Sequence, residues 1–105
     1  MDKFQKAGHV QVESKDTVAK IKGSSTEFLL RELAMGITLA ELAHFSEKRG
    51  HPEDADRQKA AAIQAYKTVL KFLPEVAPTS IQERQIEADM AQLKYRLTTL
   101  GVSLA

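Results

Sequence analysis

Three histidines, His9, His44 and His51, are the side chains of this 105-residue chain whose charge normally changes near neutral pH. There is no cysteine, which removes disulfides, thiolate nucleophiles and cysteine-ligated zinc or iron–sulfur sites. Of the three, His44 has the most suggestive neighbours, with Glu41 three residues before it and Glu47 three after. On a helix that spacing brings side chains onto one surface. A metal site needs a second ligand three or four residues away on the same side and further ligands from elsewhere, so a Glu–His pair alone predicts no metal. His44 shares its side of the helix with Leu33, Ile37 and Ala40. It is therefore expected at the core or its mouth, half-buried and hydrogen-bonded to a neighbour such as Tyr66. His51 precedes Pro52 and reads as a helix start, while His9 lies in a segment without a clear pattern. No glycine-rich phosphate loop, HExxH or acyl-transfer arrangement occurs. The chain is expected to be no enzyme and to use no cofactor.

Charge narrows the partners. Fifteen basic residues stand against fourteen acidic ones, a net charge of +1, so neither nucleic acid nor an acidic membrane surface is indicated. Apolar runs are too short to span a membrane, and MDKFQKAGHV lacks the apolar core of a secretory signal. A cytoplasmic, soluble protein is the expectation. The local bias is in residues 1–23, where five lysines meet three acids; this arm is poorly defined, between short strands, a short helix and a loose segment.

The elements that position these residues are helices. Ser24 and Glu27 have capping-box spacing, and the run that follows is the most apolar in the chain. At 100° per residue, Leu29, Leu30, Leu33, Ile37 and Ala40 fall on one side, and Phe28, Met35, Leu39, Leu42 and Ala43 on an adjoining one. The first helix is predicted over 26–49, ended by Lys48-Arg49-Gly50, because glycine takes the left-handed conformation there. A second, over 52–73, starts at Pro52, carries Glu53, Asp54 and Asp56 in its first turns, and buries Ala62, Ile63, Tyr66, Val69, Leu70 and Leu73. Pro74 and Pro78 stop it. A third, over 80–100, opens on a Ser80–Glu83 capping box and presents Ile86, Met90, Leu93, Leu97 and Leu100 as its seam. Glu83, Arg84, Glu87, Asp89, Lys94 and Arg96 read as its solvated face. Short links make successive helices neighbours. The fold class is all-α: an antiparallel three-helix up-down bundle over 24–101 with the arm 1–23 in front.

Three family patterns bear on these helices. Ala62, Tyr66, Val69 and Pro74, with Met35-Gly36 and Leu39 before them, resemble a single stretched tetratricopeptide hairpin over about Phe28 to Pro74. Gly36 sits about two heptads further from Ala62 than in that family, so each helix would be one heptad longer. The resemblance implies protein–protein binding through helical grooves, without catalysis. His44 with Lys48 and Gly50 is a looser likeness to a histidine phosphotransfer helix, in which lysine follows the histidine by three residues. A small helical chorismate mutase is set aside, because Arg31 and Arg49 lie on the polar side, away from where its dianion-binding cluster would be.

Two readings follow. The first is a helical interaction module that binds a peptide, a protein or itself, and most simply forms a homodimer. With one side of the first helix turned to the bundle, Phe28, Met35, Leu39 and Leu42 remain as the partner-binding face, the alternative being that the arm folds over it with Phe4, Val10, Val12 and Ile21. The second is a bundle that handles a small group or metal at His44. A packed imidazole favours the first, an exposed one the second.

Overall fold

The computed structural model describes residues 25–104. The arm at 1–23, His9 and the Ser24–Glu27 capping box lie outside the described residues or depend on them. Three α-helices follow in order, α1 (Ser25–Lys48), α2 (Pro52–Phe72) and α3 (Ser80–Thr99), with a 3-10 turn at Leu73–Glu75 between the last two. No strand occurs among the described residues. The fold is the all-α three-helix bundle the periodicity predicts.

Local signals explain the helix ends. Gly50 adopts φ +78° just past α1, donating to Glu47 O at 3.1 Å while His51 N donates to Ser46 O at 2.8 Å. That pair of bonds satisfies the last carbonyls of α1 and turns the chain back at once. Gly101 repeats the device with φ +87°, Gly101 N to Thr98 O and Val102 N to Leu97 O. His51 is the N-cap of α2 with Pro52 behind it, as its position before the proline predicts. At α3 the capping box is shifted by one residue from the Ser80–Glu83 expectation. Thr79 is the N-cap: its hydroxyl accepts from Gln82 N at 3.1 Å, and Gln82 Oε1 accepts from Thr79 N at 2.9 Å. Thr79 holds the extended backbone a cap requires (φ −68°, ψ 168°), and its carbonyl already receives Glu83 N, so Ser80 lies inside the helix.

Contacts along the helices give the directions. Ser46 pairs with Gln58 at 2.8 Å and Gly36 lies against Ala65, so α1 and α2 run antiparallel. Gly36 also meets Leu93 while Glu41 pairs with Arg96, so α3 runs parallel to α1. Helix α1 contacts both others extensively, whereas α2 and α3 touch each other little. It is the shared element.

The core is a single cluster of Leu29, Leu33, Ala40, Ala62, Tyr66, Val69, Ile86, Leu93 and Leu97, all buried. Burying each of the larger members contributes about 1.5–3 kcal/mol. Several expected members differ: Leu30, Ile63, Leu73, Met90 and Leu100 are partly buried and pack on the edge of the cluster. Ile37 is likewise only partly buried, and Leu70 is exposed, while Ala65, on another side of α2, is buried against Gly36. Gly36, Ala40 and Ala43 of α1 and Ala55, Ala62 and Ala65 of α2 are buried small residues, and Gly36 lies against Ala65. At Gly36 the fit is closest: a Cβ there would stand 2.9 Å from Leu93 Cδ2 and 3.1 Å from Ala65 Cβ. All three helices meet at that hydrogen. Beyond Gly101, Val102 and Leu104 fold back against the cluster.

Candidate functional site: the outer face of α1 and the His44 cleft

The side of α1 opposite this core carries a row of large apolar side chains interleaved with polar ones. Phe28 is 42% exposed, Met35 52%, Leu42 44% and Phe45 59%, so large side chains recur at seven-residue spacing and then three beyond. Seven residues are nearly two turns, which keeps the first three in line along the helix. Arg31, Thr38 and Arg49, also exposed, complete that face. Of the four residues predicted to form it, Phe28, Met35 and Leu42 are here. Leu39 is not wholly: it is half-buried and packs against the core cluster, because it sits at the seam where the stripe meets the bundle. Phe45 was missed by the sequence reading, although its place three residues after Leu42 is a helical neighbour position that could have found it.

His44 corrects a second expectation. Its imidazole is exposed rather than half-buried, and Tyr66 is not beside it. It stands at the mouth of the bundle, where α1 and the end of α3 leave an open cleft of about 130 Å³ lined by Ala40, His44, Tyr95, Arg96, Thr99 and Leu100. The 160° turn from Phe28 to His44 on a helical wheel places it past Ala40, beyond the reach of α2. Arg96, expected on a solvated face, instead joins the two helices: its Nη2 is 2.9 Å from Glu41 Oε2, and its Nε is buried without a hydrogen-bond partner. Thr99 donates its hydroxyl to Tyr95 O at 2.8 Å, which leaves the Tyr95 ring, 72% exposed, standing at the rim. The cleft is thus lined by an exposed imidazole and by a guanidinium already paired with Glu41. Among the described residues no three His, Asp or Glu side chains converge as metal ligands, and Glu47 is turned to Lys59 at 3.0 Å.

Among the described residues no helix is long and apolar enough to cross a membrane. No protein-family model, curated protein or solved structure matches the chain.

Proposed function

We propose that this chain is a small helical protein–protein interaction module of the cytoplasm, without catalytic activity, that binds through the outer face of α1 and associates with itself. The observation that carries this reading is the stripe of Phe28, Met35, Leu42 and Phe45, four large apolar side chains turned to water on one face. Such contiguous patches on a folded domain usually mark an interface. The likeness of the α1–α2 hairpin to a tetratricopeptide unit supports the same class of function. The test is sedimentation of the full chain at tens of micromolar: association lost in Leu42→Lys supports the reading, and a wild-type monomer overturns self-association. Leu42 is the better probe than Leu39, whose replacement would also disturb the core edge.

A second reading is favoured by the exposed imidazole of His44 beside Arg96: a phosphotransfer or small-ligand bundle in which His44 carries or contacts an anionic group. A phosphoryl group on His44 would meet the guanidinium of Arg96 as counter-charge. Incubation with a small phosphodonor such as acetyl phosphate tests it. An acid-labile, base-stable phosphoryl signal that disappears in His44→Gln supports this reading; its absence leaves the interaction module.

A further inference from the structure

Resting on the reading of the α1 face as an interface, we propose that its partner is a second copy of this chain, packed antiparallel about a two-fold axis. In this arrangement Phe28 meets Phe45 of the partner subunit, and Glu27 meets Lys48 of the partner subunit. The face is written like one strand of a helical pair. Phe28, Met35, Leu42 and Arg49 occupy one position of a seven-residue repeat, and Arg31, Thr38 and Phe45 occupy the other inward position. A two-fold axis uses one stripe twice, so the stripe must complement itself.

Few registers do so. A parallel pair would stack Arg31 on its own copy and set Glu27 opposite Glu32, two repulsions at each site. Sliding the antiparallel pair one repeat toward the helix ends opposes Arg31 to Arg49, and sliding it the other way leaves Leu42 and Phe45 uncovered. The remaining register makes six layers: Phe28 on Phe45, Arg31 on Leu42 and Met35 on Thr38, each twice. Arg31 lays its aliphatic stem on Leu42 and carries its charge out to water. Glu27 and Lys48, exposed in the first and last turns of α1, then face each other at both ends of the stripe. The covered length from residue 28 to 45 is about 25 Å at 1.5 Å per residue.

The area is consistent with this partner. Four large side chains about half exposed amount to roughly 400 Å² of apolar surface per subunit. The stems of Glu27, Arg31, Thr38 and Lys48 raise the total toward the ~800 Å² per subunit of an ordinary specific interface. A reversible dimer results.

The experiment is sedimentation velocity on the full chain, comparing wild type with Glu27→Lys, Lys48→Glu, their equimolar mixture and Leu42→Lys. Each single charge reversal puts two like-charged pairs into the homodimer and is expected to weaken association about tenfold. Mixing the two variants makes both pairs attractive in the mixed dimer, so the mixture returns to the wild-type profile. Because both reversals also oppose the helix dipole, loss in the single variants alone would not suffice; recovery on mixing is the supporting result. If Leu42→Lys dissociates the dimer while the charge reversals change nothing, or mixing restores nothing, the face is right and this register is wrong. A wild-type monomer at tens of micromolar overturns both the register and self-association.

Discussion

The two sides of α1 are similarly apolar and have opposite fates. The inner side is built of Leu29, Leu33, Gly36, Ala40 and Ala43; the outer of Phe28, Met35, Leu42 and Phe45. The inner side interleaves the fully buried Leu29 and Leu33 with small residues, which the outer set lacks. At Gly36 the helices approach until a single added Cβ would collide. Large side chains would hold the helices apart, and the dispersion contacts of a close-packed interior would be lost. Phe28, Met35, Leu42 and Phe45 stay exposed on the other side, the face proposed as an interface. One helix thus carries a tight contact inside the bundle and, on its other side, the face proposed to bind a second chain.

Substitutions on the two sides should therefore report different equilibria. The largest effect on stability is expected from Leu93→Ala. Leu93 is fully buried and its methyls cover Gly36, so the variant loses transfer energy and opens a void where three helices meet, costing about 2–5 kcal/mol. Urea unfolding measures it, and a loss below about half a kcal/mol would mean the α3 seam is not part of the core. Leu42→Lys is the contrasting case, with an unfolding midpoint near wild type at concentrations where the chain is monomeric.

Gly36→Ala sharpens the comparison. In an exposed helix this change stabilises by about 1 kcal/mol. Here the new methyl meets Leu93 Cδ2 at 2.9 Å and Ala65 Cβ at 3.1 Å. Leu93 can rotate away, but Ala65 moves only with the α2 backbone. Overpacking of about 1–3 kcal/mol should outweigh the gain in propensity and leave a net loss near 1 kcal/mol. Gly36→Ala combined with Leu93→Ala should then lose less than the two changes added together, because the void receives the methyl. Strict additivity would place Gly36 away from the crossing.

Thr79→Ala should cost about 1 kcal/mol by removing the hydroxyl that accepts from Gln82 N. Ser80→Ala should change stability little, since Ser80 follows the cap.

The helices and most of the core were legible because their signals are local. Glycine after Lys-Arg, proline at a helix start and leucines at alternating spacings of three and four each act within a turn or two. What was not legible depends on how near two helices come. Leu70 fits the apolar stripe of α2 by spacing but is exposed, and Ala65, outside that stripe, is buried where α2 comes close to Gly36. His44 was placed toward the core by its angle on α1, but that angle does not say where α3 ends and the cleft opens. Arg96 looked like one charge on a polar face until α1 supplied Glu41. Of the residues expected on the outer face, Phe28, Met35 and Leu42 are exposed, whereas Leu39 is half-buried because an apolar residue at a seam belongs to both sides.

The smallest effect is expected where the two sides of α1 meet, at the pair of Glu41 and Arg96. The side chains are 44% and 37% exposed, so their attraction is largely screened and should contribute under about 1 kcal/mol. Glu41→Gln keeps a hydrogen-bond acceptor at 2.9 Å from Arg96 Nη2 and removes only the charge. The loss should therefore be a few tenths of a kcal/mol at low salt and fade above about 0.5 M salt, where the screening length is under 5 Å. Arg96→Met separates charge from packing. It keeps much of the aliphatic stem and removes the buried Nε that has no partner, so it should match or exceed wild-type stability. The same variant removes the guanidinium from the His44 cleft. If Arg96→Met instead lost several kcal/mol at every salt concentration, the ion pair would be a structural link between α1 and α3, and the cleft would have to be read as part of the core.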